Sequence, residues 1–273
     1  MRKNTQSARP DFDPVILRRH VLQMAHQGQS VHVPCAFSLM ELVSLLYSKY
    51  LTLDPKDPLS RDRDYLTLSK GHGVMALYAC FKELDWISNS DLDHYFVNGS
   101  LLRGLCESNI PGLEVTSGSL GHGFPVAVGI ALGLKLKGSP QKVFSIVGDG
   151  ELNEGPIWEA AMIARHRQLD NLMIIVDANQ FQAMGRTVDI TDTEPLLEKF
   201  ISFGFAASEC DGHNLESLDL TIGRLLAISD KPKALIARTI KGKGVSFMEG
   251  DNKWHYTRIS DETLKLALRE LEQ

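Results

Sequence analysis

No apolar run in this 273-residue chain approaches the roughly 20 residues that a membrane-spanning helix needs, which argues against an integral membrane protein. Arg2 and Lys3 stand near the N-terminus with no apolar core behind them, so the start does not look like a secretory signal. Basic residues are in short supply as well. Against 34 Asp and Glu there are 29 Lys and Arg, a net charge of -5 with no dense basic block, which excludes non-specific nucleic-acid binding as a main role. The cysteines, Cys35, Cys80, Cys106 and Cys210, lack the paired spacing of a zinc site and are expected to be reduced, partly buried thiols of a cytoplasmic protein. There is no internal repeat and no low-complexity linker. The simpler expectation is a polar tail over residues 1–12 and a single domain over 13–273, whose core the 43% apolar content can fill.

Strand-like runs fall at 65–69, 143–147, 172–177, 205–210 and 234–239. Helical patterns cover 15–27, 39–50, 73–84, 92–96, 124–136, 196–203, 215–228 and 261–271. Asp13-Pro14 supplies a cap and a first helical residue for the first of these, and Pro156 can open a further helix between the second and third strands. Strands alternating with helices imply an α/β fold: a doubly wound, mostly parallel sheet with helices on both faces.

Gly148-Asp149-Gly150 follows directly on one apolar run, and Asn179 follows the next. By itself Gly-Asp-Gly is as often an ordinary strand-ending turn. If the two strands are parallel neighbours, however, Asp149 and Asn179 reach the same sheet edge, and the glycines let another group approach the backbone closely. The Asp149 carboxylate, the Asn179 amide oxygen and a backbone carbonyl just beyond, at Phe181, would suit Mg2+, which prefers oxygen and leaves room for phosphate; Ca2+ accepts the same ligands.

Other segments occupy loop positions. Ser69-Lys70-Gly71-His72-Gly73 follows a strand and precedes a helix, where backbone N–H groups can hold an anion. A lone histidine there is more often a surface residue. Between Pro111 and Gly123 the chain is rich in glycine, which is either a flexible loop or a place where backbone can lie against a flat ring. Near the ends stand Gln29-Ser30-Val31-His32 and Lys241-Gly242-Lys243-Gly244, the latter followed by Trp254-His255.

Residues 145–185, with Gly-Asp-Gly-Glu-x-x-Glu-Gly-x-x-Trp-Glu-Ala, resemble the thiamine diphosphate motif of the transketolase family, and the resemblance extends over about residues 12–273. It matches only the diphosphate-binding half, as in transketolases split into two chains. The resemblance implies thiamine diphosphate with Mg2+ as cofactors, and Asp149, Asn179 and Phe181 as metal ligands. His72, Gly118, Leu120, Gly148, Asp149, Gly150, Glu154, Asn179 and His255 fall on its cofactor-binding side. Glu154 and Glu159 match acids that face the subunit interface in the family, and neither is the activating glutamate. His32, His72 and His255 would line the reacting centre, their near-neutral titration suited to proton transfer. The activity implied is transfer of a two-carbon ketol unit from a ketose donor to an aldehyde acceptor. The glutamate that activates the cofactor would come from a separate pyrimidine-binding subunit, in an α2β2 assembly.

Two positions depart from the family's pattern: Phe96 where an arginine would meet a sugar phosphate, and Leu105 where a histidine would meet donor hydroxyls. Losing a bidentate phosphate partner is not conservative. A shift toward an unphosphorylated, differently substituted or more apolar substrate is expected, with Arg103 a nearby substitute. Two alternatives stay open: the α subunit of a thiamine diphosphate-dependent 2-oxoacid dehydrogenase or acyloin enzyme, and a cofactor-binding relic without turnover.

Overall fold

All five strand-like runs enter one parallel sheet, whose central strands are apolar on both sides and need cover on both faces. In the computed structural model, which describes residues 10–28 and 31–272, these strands are β1 (Tyr65–Leu68), β2 (Val143–Gly148) and β3 (Leu172–Ala178), then, after a separate hairpin of β4 (Phe181–Gln182) and β5 (Gly185–Arg186), β6 (Ala206–Asp211) and β7 (Lys233–Arg238). Residues 1–9 of the expected tail, together with Gln29 and Ser30, lie outside the described residues. The strand order is β1-β2-β3-β7-β6, all parallel.

Alternate residues divide the sheet between two cores. Phe144, Ile146, Met173, Ile175 and Leu235 face one, while Val143, Val147, Ile174, Val176 and Ile236 face the other. The first core is closed by α1 (Pro14–Gln27), α2 (Val33–Phe37), α3 (Met40–Leu45), α4 (Met75–Glu83) and α5 (Asn89–Asp93). The second is closed by α6 (Gly123–Leu136) and α7 (Gly155–His166), and by α9 (Leu196–Ser202), which follows the one-turn α8 (Thr187–Ile190). Back on the first face, α10 (Leu215–Leu226) and α11 (Asp261–Glu270) complete the cover.

Two helical expectations shift. The stretch 39–50 is not one α-helix: α3 ends at Leu45 and a wider π-helical turn, Leu46–Tyr50, follows, with Leu46 and Tyr47 both buried. The helix expected at 92–96 lies earlier, at α5, because Ser88 and Asp91 form a reciprocal capping box that starts it. Phe96 falls beyond it with φ +54°, outside helical space.

The sheet's carboxyl edge is tied together by a buried ion pair. Asp177, near the end of β3 and fully buried, accepts hydrogen bonds from Lys70 after β1, from Thr239 after β7, from Ser38 between α2 and α3 at 2.7 Å, and from Asn179 at 2.9 Å. Burial opposes both charges, yet Lys70 holds Asp177 ionised below the usual carboxylate range and Asp177 holds Lys70 protonated above the usual amine range. Breaking such a pair leaves a buried charge unpaired. Lys70→Met is expected to cost about 3–5 kcal/mol of stability in urea denaturation, with Lys70→Met/Asp177→Asn recovering part of the loss; an unchanged midpoint in the single variant would contradict the pairing.

Candidate active site

β2 and β3 pair in register from Val143↔Leu172 to Gly148↔Asp177, so the residues that follow them emerge side by side. Asp149 comes out one step past β2 and Asn179 one step past β3. The Asp149 carboxylate accepts hydrogen bonds from the backbone N–H of Gly150 at 2.8 Å and of Gln180 at 2.5 Å, which lock the two loops together. Asn179 donates its amide N–H to Asp177 while its Oδ1 accepts the Phe181 N–H at 3.0 Å. Asp177 thus dictates which way round the Asn179 amide sits.

These groups open into a cavity of about 250 Å³. Asp149, Asn179 and Phe181 line it together with Gly148 and Gly150. Gly118 and Leu120 from the glycine-rich loop form another wall, and His32, His72 and His255 a third. The His32 ring centre lies 5.1 Å from that of His72 and 5.0 Å from that of His255, although the three residues come from distant parts of the chain. Glu154 stands apart: it is exposed and outside the lining. The one-turn 3-10 helix Gly150–Asn153 sends Glu151 inward instead, where its carboxylate accepts from Ser69 at 2.5 Å and from the Gly121 N–H at 2.9 Å. Glu154 is left as the residue before α7.

Cys35, Lys70, Glu151, Asp177 and Lys241 are the site residues that motif spacing did not single out. The available signals were a charged residue closing an otherwise apolar strand, for Asp177, and a lysine inside the Ser-Lys-Gly-His string, for Lys70. Lys241 is 1% exposed, and its ammonium donates to Nδ1 of His255 at 2.7 Å and to Asn252 at 2.8 Å. An ammonium has only donors, so His255 Nδ1 accepts and its neutral ring carries the proton on Nε2.

Burial, reinforced by the charge of Lys241, lowers His32 and His255 to about 4, and burial with Lys70 beside it drives His72 well below the ordinary histidine value. All three imidazoles are therefore neutral at pH 7, each able to give or take a proton. Asp149 moves the other way: burial, then the nearby charge of Asp177, raise it to about 7. A buried carboxylate held against its charge is relieved by a cation.

The donor set fits a hard divalent ion. No group of three or more His, Cys, Asp or Glu side chains among the described residues could hold a metal by itself. One carboxylate, one amide oxygen and one backbone carbonyl leave the other positions to phosphate oxygens and water, which suits Mg2+.

An open α/β sheet with a metal-and-phosphate site at its carboxyl edge, walled by neutral histidines, defines a cofactor-dependent enzyme domain. Residues 15–271 match the family model described as "Transketolase, thiamine diphosphate binding domain", and the chain belongs to that family. It is 40% identical over 257 residues to one of the two subunits of the apulose-4-phosphate transketolase of Actinobacillus succinogenes, covering 94% of this chain and 93% of that one. Identity is 39% to the 6-deoxy-6-sulfo-D-fructose transketolase subunit SqwG of a Clostridium species, with 94% of each chain covered. The transketolase structure of Campylobacter jejuni superposes with a TM-score of 0.89 at 28% identity, over 96% of this chain but 42% of that one. The chain thus spans nearly the whole of the two related subunits and about two fifths of the solved transketolase.

The lowered histidine values set a pH response. Between about pH 6.5 and 4 the unfolded chain binds protons that the folded His32 and His255 do not, so stability falls as pH falls through that window. Imidazole NMR signals of His32 and His255 are expected to keep neutral-form shifts down to about pH 5 and to titrate near 4; midpoints near 6.5 would show that the cluster is not buried as described.

Proposed function

We propose that this chain is the diphosphate- and metal-binding subunit of a two-component transketolase, transferring a two-carbon ketol unit from a ketose to an aldehyde. The observation that carries this is the meeting of the Asp149–Asn179 edge with three neutral histidines in one cavity, in a chain that matches separate transketolase subunits along nearly their whole length. The working unit is residues 13–273, taken as one domain preceded by a tail. The four described cysteines are free and buried, which suits a reducing, cytoplasmic setting. No helix among the described residues is long and apolar enough to cross a membrane.

Thiamine diphosphate, when bound, supplies a nucleophilic carbon and an electron sink for the carbanion that carbon–carbon cleavage leaves. The chain's own residues hold and steer. Asp149, Asn179 and the Phe181 carbonyl would hold Mg2+ against the diphosphate, with His72 and the Gly148–Gly150 turn close to the phosphate oxygens. His255, whose Nδ1 is occupied by Lys241, presents an N–H, and His32, with no such partner among the described residues, can accept a proton from a substrate hydroxyl. The carboxylates nearest the cavity, Asp149 and Glu151, are both tied to backbone N–H groups, so the glutamate that activates the cofactor is assigned to a separate pyrimidine-binding subunit, two of each forming α2β2.

Mixed with such a partner, thiamine diphosphate and Mg2+, the chain is expected to carry out ketol transfer that neither protein performs alone. Asp149→Ala should reduce it by on the order of 100-fold or more, with a matching loss of Mg2+-dependent cofactor binding in calorimetry. Release of CO2 from a 2-oxoacid in place of ketol transfer would instead identify a 2-oxoacid enzyme.

A further inference from the structure

A second cavity, of about 260 Å³, lies beside the first and shares His32 and Leu105 with it. Because His32 stands in both, a substrate whose reacting carbon lies among the histidines must lay the rest of its chain in this second space. Its walls are mostly apolar. Leu105 is 42% exposed and is held by packing on Gly118, where an added Cβ would come within 2.8 Å of it. Phe96 packs on Gly104, where an added Cβ would meet the ring at 3.2 Å, and the Tyr256 ring leans against His32 with centres 4.8 Å apart.

The ionic lining is Arg103 and Glu107, whose Nε and Oε2 are 4.0 Å apart, too far for a hydrogen bond. The Arg103 guanidinium makes no side-chain hydrogen bond among the described residues, so donors face one side of the gap and a carboxylate the other. A hydroxyl, which both accepts and donates, fits between them. A phosphate dianion can use Arg103 only by bringing its charge against Glu107, and the remaining walls offer it nothing.

We propose that this cavity is the subsite for the distal end of the sugar, and that it selects a terminus bearing an uncharged hydroxyl or deoxy group over one bearing phosphate. The inference rests on the ketol-transfer reading and narrows its substrate class. Its direction differs from the phosphate- and sulfo-bearing sugars in the names of the relatives described above.

The test compares xylulose, 5-deoxyxylulose and xylulose 5-phosphate as donors for the cofactor-loaded complex of this chain with its partner. The uncharged donors are expected to have at least tenfold higher kcat/KM, and Glu107→Gln to raise the value for the phosphorylated donor about tenfold by removing the opposing charge. A preference for xylulose 5-phosphate that survives or is lost in Arg103→Ala overturns the proposal in either case. Calorimetric binding of the same three sugars decides the matter without turnover: tighter binding of the phosphorylated sugar, or binding of none, overturns it. Selective binding of the uncharged sugars with no transfer would sustain the subsite and refute the ketol-transfer reading.

Discussion

Lys70 and Asp177 meet inside the protein at a point where neither charge could remain alone. The pair lies where the loops after β1, β3 and β7 converge, and Ser38, Thr239 and Asn179 complete the coordination of the carboxylate. Desolvating two charges is costly, and such a pair adds stability only when its remaining hydrogen bonds are satisfied. Here they are, and the consequence is positional. Asp177 captures the amide N–H of Asn179 and so leaves its oxygen beside Asp149. A polar network under the sheet edge thereby orients the groups proposed to hold the metal.

The same network sets the electrostatics above it. Lys70 and Lys241 are cations placed under a cavity whose histidines are already short of water, and together burial and charge keep all three rings neutral. Asp149 experiences the opposite bias from Asp177. The site is thus polarised, with unprotonated bases along one wall and a carboxylate seeking a cation along the other. Groups with titration pushed apart in one cavity are what acid–base chemistry at neutral pH requires. Glu151, held by Ser69 and two backbone N–H groups, contributes by pinning the glycine-rich loop to β2 rather than by facing the reaction.

Much of this was legible in the chain. The strand-like runs pair as expected because a strand buried on both faces must be apolar throughout, and β2 and β3 are. The strand-ending positions of Asp149 and Asn179 followed from that pattern alone. Local signals also had limits. The capping box at Ser88 and Asp91 outranked the apolar spacing that placed a helix at 92–96, and α2 packs five consecutive buried residues that show no helical periodicity. Glu151 and Glu154 lie in the same Gly-Asp-Gly-Glu-x-x-Glu string, and only the 3-10 turn between them decides which carboxylate points inward.

By itself the sequence determined the α/β class, the sheet edge that bears the site and the residues that end the two central strands, because those depend on periodicity and adjacency within short segments. The tertiary structure alone decided that His32, His72 and His255 share a wall, that Lys70 and Asp177 neutralise each other, and that Phe96, Leu105 and Arg103 border a second cavity next to the first. Those relations join residues far apart in the chain. Burial, charge and distance act between them only once the strands have set their register, so no local pattern encodes them.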